Sequence, residues 1–337
     1  MQAFERTNPL DPGGTILQSL TSWGGPGIEI FGAAVPAPDG GCVVCGSTTS
    51  WGNGLYDAFV TRFRNDGSVA WSTTYGGTSY DNGSCITPSP DGGYVLCGMS
   101  RPDGGGPASL LLVKFTADGD TVWARRHNGG NETIGNWIEP ATGGYIVSGF
   151  VNQVGGFLAK FDSGGALVWW RNISGSGEMV KPAADGGYYA VSGPALIRTD
   201  SVGTVVWEHA STIFSVVEPT PDGGFVAATG ALLVKRDASD QTQWTLNYAG
   251  TGIETIRGLR RSNNGGYAMA AADNNVPDDG YLLVATGGGA VSHTVDFPGL
   301  GFARTALSTG SGCWLIGQRT GGGSDDLFLV RTKPAVE

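Results

Sequence analysis

The chain has 337 residues, 58 of them Gly and only 15% charged, and its 40% hydrophobic content is enough for a large core, which excludes disorder. A formal net charge of −10 excludes nucleic acid as a partner class, because phosphate binding needs clustered Lys and Arg. No apolar run approaches the roughly 18 residues of a membrane span, and the opening Met-Gln-Ala-Phe-Glu-Arg-Thr-Asn lacks the basic-then-apolar order of a signal peptide.

In chain order, the first strand-like segment is 15–18, which follows Gly13-Gly14 and precedes a closing Trp23-Gly24-Gly25. It has no partner nearby. At Val35 a phrase begins, VPAPDGGCVVCG, that returns as TPSPDGGYVLCG from Thr87, EPATGGYIVSG from Glu139, KPAADGGYYAVSG from Lys181 and EPTPDGGFVAATG from Glu218. Two weaker copies follow, RRSNNGGYAMAA from Arg260 and ALSTGSGCWLIG from Ala306. Short β-branched and aromatic runs between Gly-rich breaks predict strands and tight turns, and no stretch has helical periodicity.

Between the anchors lies a second phrase, such as DAFVTRFRNDGSVAWSTTYGG from Asp57, which predicts two more strands around an Asp-Gly turn. Each unit therefore holds four strands, A to D. In the second unit A falls near 82–88, B near 94–99, C near 110–115 and D near 121–126. A four-strand unit of roughly 40 to 50 residues that cannot bury both faces alone predicts a propeller blade. The fold expected is all-β, a seven-bladed β-propeller with four antiparallel strands per blade. The seventh unit stops after its third strand, 326–332, and the N-terminal segment supplies the fourth. Blade seven is thus expected from about 301–333 plus 14–21, closing the ring and removing an open edge. The whole chain, 1–337, reads as one domain.

The run of DGGYxxxG, an Asp-Gly turn, then Trp and a closing YGG resembles the repeat propellers common in exported proteins and lipoproteins of bacteria and archaea. The resemblance covers essentially the whole chain and is weakest in blades six and seven. It implies a secreted bacterial or archaeal propeller, periplasmic or extracellular, although the sequence itself leaves a cytoplasmic setting open. That family has many roles and no shared catalytic motif, so no functional residue carries over.

The five cysteines, Cys42, Cys45, Cys85, Cys97 and Cys313, are read as small buried residues without disulfides. Cys42 and Cys45 form a CxxC, but residues three apart on a strand face opposite ways, which argues against a metal site there. Trp71, Trp123, Trp169, Trp207 and Trp244 recur four residues after the C–D turn, a repeated position that implies a repeated packing role. His127, His209 and His293 lie on the same outer strands, away from any channel.

Strand A carries the informative differences. Its exit residues around the ring are Val35, Thr87, Glu139, Lys181, Glu218, Arg260 and Ala306, so blades three to six alternate acid and base and are expected to pair across the lower channel. Its entry residues are Glu29, Asp81, Thr133, Gly175, Thr212, Glu254 and Leu300. Three acids fall in blades six, one and two, near Arg257 and Arg304. The B–C loops of blades one, two, six and seven (47–56, 100–107, 272–280 and 319–325) are long and share that upper face, while blades four and five pass almost directly. The expectation is an asymmetric acidic cleft lined by Trp51, Tyr56, Tyr80 and Arg101. The competing reading is that the acids only brace the turns before strand A.

No nucleophile elbow, phosphate loop or cofactor fingerprint is present, so the first expectation is a propeller that binds a small molecule, glycan or protein at the upper face, as a monomer. The alternative is an enzyme, a glycan lyase or hydrolase or a small-molecule cyclase, with Glu29, Asp81 and Glu254 as acid and base and Arg257 or Arg304 holding negative charge. A structural module of a surface assembly is the third. No cofactor is expected. A calcium ion at Tyr80-Asp81-Asn82 or Asp273-Asn274-Asn275 is the one metal alternative, and neither loop has the ordered DxDxDG pattern.

Overall fold

The computed structural model describes residues 17–210, 213–248, 253–262, 265–272, 280–297, 301–309, 312–319 and 326–332. These form seven four-stranded antiparallel sheets, with no helix among the described residues. In blade two the strands are Asp81–Pro88, Tyr94–Ser100, Ser109–Phe115 and Thr121–His127, each one residue longer than its hairpin signals imply. The innermost strands pack in succession, from Glu29–Pro36 of blade one to Phe302–Thr309 of blade seven, and the last lies against the first. The molecule is a closed seven-bladed β-propeller.

Burial explains the composition of each strand. Strand B of blade one, Cys42–Thr48, is buried at every residue because blades cover both its faces, so it reads as an apolar run and not as an alternation. Cys42 belongs to the core beneath blades seven and one, with Trp23 and Trp314, whereas Cys45 joins Cys85 and Cys97 in the core of blades one to three. The two cysteines of the CxxC therefore do face apart. All five cysteines are free thiols, and burial pushes Cys85 up to about 12.

The ring closes through the N-terminus. Leu17–Trp23 pairs antiparallel with Asp326–Thr332, from Leu17 opposite Thr332 to Trp23 opposite Leu327. Positions 15 and 16 of the expected strand lie outside the described residues. Trp23 adds an apolar latch, its ring 4.8 Å from Phe59 and 6.3 Å, edge-on, from Phe63 of blade one.

Outer-strand tryptophans lock neighbours together. Trp71 Nε1 donates to Ala117 O at 3.0 Å, and its ring covers Gly119, the left-handed residue (φ +93) of the next blade's C–D turn. Trp123 meets Gly165, Trp169 meets Gly203 and Trp244 meets Gly289 in the same way. A side chain at any of these glycines would both strain the turn and strike the ring. Trp123 is only half-buried in this role, so it is a cap and not a core residue. In blade five the turn residue is Asp240 (φ 62), which binds His209 and Arg236 instead.

Blade seven corrects one alignment. Its A–B hairpin is short, with Thr309 opposite Gly312, as Ala141 is opposite Gly144 in blade three. Leu307, paired with Trp314, is therefore the true counterpart of Glu139, paired with Ile146, and Ala306 is displaced by one. The weak phrase hid a missing turn residue. By the same shift the counterpart of Glu29 is Gly301 and not Leu300.

Candidate functional site

The lower channel is stoppered. Lys181 of blade four binds Glu139 of blade three at 2.5 Å and approaches Glu218 of blade five at 3.6 Å, and Arg260 of blade six reaches Glu139 at 3.4 Å. The alternation of charges seen in strand A therefore meets at one point. Sequence reasoning missed the residue at its centre, Trp137. Its ring lies 5.4 Å from Lys181 Nζ and 5.5 Å from Arg260 Cζ, its Nε1 donates to Glu139 Oε1 at 2.9 Å, and it packs against the cores on several sides of the ring. The signal was available, because the same position in the other blades holds Ala33, Cys85, Met179, Val216, Gly258 and Thr305. Burial pushes the Glu139 carboxyl up, but Lys181 and Arg260 outweigh it and hold the group below its ordinary value.

At the upper end the acids are used locally. Glu29 is fully buried; its Oε2 accepts from Gly25 N at 2.9 Å and its Oε1 from Thr48 Oγ1 at 2.8 Å. Asp81 is fully buried too, with Oδ2 accepting from Gly77 N at 2.8 Å, and Thr133 does the same for Gly129 N at 2.9 Å. In blades one to three the Gly-Gly connection points a backbone N–H at the start of strand A, and the side chain there supplies its acceptor. Crowding also explains the first glycine: a Cβ on Gly76 would fall 2.0 Å from Asp57 Oδ1, and one on Gly24 2.1 Å from Asp326 Oδ1. Glu29 and Asp81 thus brace turns and do not line a cleft. Glu254 is exposed at the head of its strand, and Thr212 and Leu300 lie outside the described residues.

Blades one and two build a firm platform on this face. Gly27 N and Ile28 N donate to Ser50 Oγ and Thr49 Oγ1, each at 2.8 Å, Leu55 N donates to Ser79 O at 3.1 Å, and Asp103 Oδ1 accepts from Thr78 N at 2.7 Å. Thr78 Oγ1 also donates to Asp103 Oδ1 at 2.8 Å, and the hydroxyl and backbone bonds together lower the Asp103 pKa. Tyr56 and Tyr80 are joined by a parallel bridge and stack with centroids 5.7 Å apart. Tyr80 stays 39% exposed, Trp51 38% and Leu55 56%. Trp51 leans on Trp23, 5.1 Å away, so the ledge is backed by the closing strand. Arg101, expected among the lining residues, is tied to Glu132 and to Gly106 O and forms the ledge's rim. The turns of blades four and five are direct, with Ser192 opposite Ala195 and Thr229 opposite Leu232. The long loops of blades six and seven, 273–279 and 320–325, including Asp273-Asn274-Asn275, lie outside the described residues.

Among the described residues no group of three or more His, Cys, Asp and Glu side chains is arranged to hold a metal ion, and no helix is long and apolar enough to cross a membrane. No family model matches the chain, and no curated protein matches its sequence. Solved structures do match. The WD40 β-propeller domain of Doa1 aligns over 96% of this chain and 98% of its own, with TM-score 0.67 and 11% identity. The β-propeller domain of Cps50 (Swd1) from Myceliophteria thermophila aligns over 96% and 99%, with TM-score 0.63 and 10% identity. BamB from Moraxella catarrhalis aligns over 94% and 100%, with TM-score 0.54 and 13% identity. At these identities the likeness is one of fold, and it is the likeness of propeller to propeller.

Proposed function

We propose that the protein is a binding propeller that receives a protein partner on its upper face, at the aromatic ledge of blades one and two. The observation that carries this reading is the exposure of Trp51, Leu55 and Tyr80 together on loops held by hydrogen bonds to both neighbouring connections. Rigid exposed aromatics beside an Arg are the usual anchors of protein interfaces. The stoppered lower channel leaves the upper face as the entry. The enzyme alternative has less support, because Glu29 and Asp81 are engaged in bracing turns. An exported setting, which the repeat resemblance implies, belongs to the same proposal.

A photo-crosslinking residue placed at position 80, compared with one at position 122 on the outer rim, tests the reading in cells of the source. Partner crosslinks at 80 that vanish with Trp51→Ala are expected, and Asp81→Asn is expected to lower stability while leaving the crosslink per folded molecule unchanged. Crosslinks confined to position 122, or a ledge that captures only oligosaccharides in a glycan screen, would reject a protein partner here.

A further inference from the structure

Blades one to five place a cation at one register position of strand C, directly across the ladder from the outer-strand tryptophan. Arg62 faces Trp71, Lys114 faces Trp123, Lys160 faces Trp169, Arg198 faces Trp207 and Lys235 faces Trp244. In blades one, two, four and five the aspartate of the A–B turn binds that cation, as Asp39 binds Arg62 at 3.1 Å and Asp222 binds Lys235 at 2.7 Å. The same carboxylates accept from the second turn glycine at 3.0 to 3.1 Å. Each acid is 40 to 70% exposed above a largely covered cation, so the carboxylate arrives from the solvent side. Blade six has neither charge, with Asn264 in the turn and Val284 on strand C. In blade seven Arg331 holds the position, and turn residues 310 and 311 lie outside the described residues.

Blade three keeps the cation without the acid. Its hairpin is one residue shorter, Ala141 opposite Gly144, and the exposed Thr142 stands before the paired glycines. Lys160 is only 7% exposed, and its Nζ has no hydrogen-bond partner among the described residues. Burial lowers its pKa, with no neighbouring carboxylate to raise it. Its cross-strand neighbour Ile146 packs with Tyr188 and Trp169 in an apolar cluster. An ammonium buried without an acceptor is costly, and an arriving carboxylate recovers a charge-assisted bond.

We propose that Lys160 is a binding site for an external carboxylate, which takes on blade three the seat that the turn aspartate fills in blades one, two, four and five. The carboxylate is that of a small organic acid or of an acidic side chain on a partner, and both present the same group to Nζ. The site lies at the A–B turn, on the face opposite the aromatic ledge. It therefore stands whether or not the upper face receives a protein.

Carbon-13 NMR of the full chain labelled at lysine Cε, with the Lys160 signal assigned by its loss in Lys160→Arg, tests the site against acetate, a blocked Asp-Gly-Gly peptide and chloride at constant ionic strength. Acetate or the peptide is expected to raise the Lys160 pKa saturably, with chloride without effect. Peptide binding at least about tenfold tighter than acetate assigns the site to an acidic side chain, and similar binding assigns it to a small acid. The rise in melting temperature given by the bound carboxylate is expected to vanish in Lys160→Met, which keeps the buried position apolar, and to survive in Lys160→Arg. A Lys160 pKa unmoved by acetate and peptide at about 100 mM, an equal response to chloride, or an equal melting rise in folded Lys160→Met overturns the proposal.

Discussion

Arg260 reaches Glu139 across the channel at 3.4 Å although 121 residues separate them in sequence. Blade six is thereby tied directly to blade three, and Lys181 shares the same carboxylate. Removing the acid leaves two buried or half-buried cations facing each other around Trp137. Glu139→Gln is expected to cost about 3 kcal/mol in denaturant unfolding. Because the folded pKa of Glu139 is lowered from 4.5, its contribution is fully present above that value and is lost as pH falls through the lowered one. The variant should therefore unfold with a shallower acid dependence below about pH 4.5. An unchanged acid profile would show that the plug does not contribute.

Closure by the first strand predicts a large effect of truncation. Deleting residues 1–20 removes about half of the pairing partners of Asp326–Thr332 and exposes backbone donors and acceptors on blade seven. A sharply lower melting temperature is expected, with a tendency to associate through the new edge. Melting equal to that of the full chain would mean that the strand contributes nothing to closure.

A repeated ion pair is missing from blade three. The turn aspartates Asp39, Asp91, Asp185 and Asp222 bind Arg62, Lys114, Arg198 and Lys235 of strand C in their own blades. In blade three the turn position is Thr142, and Lys160 Nζ is buried without a hydrogen-bond partner among the described residues. Burial lowers the Lys160 pKa. Thr142→Asp is expected to raise stability by about 1 kcal/mol and to raise the Lys160 pKa, read by NMR titration. A shift of neither quantity would show that the short turn keeps the new carboxylate out of reach.

The tryptophan caps separate two costs of a side chain at a left-handed glycine. A methyl added at Gly92 (φ +85) would have nothing within 4 Å, whereas at Gly119 (φ +93) it would meet Trp71 at 2.7 Å. Gly92→Ala should cost about 1 kcal/mol from conformation alone, and Gly119→Ala at least about 1 kcal/mol more from overpacking. Urea unfolding of both variants measures the difference. Equal costs would mean that the ring of Trp71 yields freely and does not clamp the seam.

Blade number, strand order and ring closure were legible in the chain because each blade repeats the same turn chemistry, and a local signal repeated seven times needs no tertiary information. The alternating Glu139, Lys181, Glu218 and Arg260 were legible for the same reason. Where the repeat lost a residue, at Leu307, alignment slipped, since spacing carries no record of a shortened hairpin. The roles of Glu29 and Asp81 were decided only by the fold. A carboxylate after a Gly-Gly turn reads alike whether it faces a cleft or a backbone N–H, and the direction depends on how the preceding blade presents Gly25 or Gly77. Trp137, Arg257 and Arg304 likewise acquire their neighbours from other blades, because the centre of a propeller is the one place where distant repeats converge.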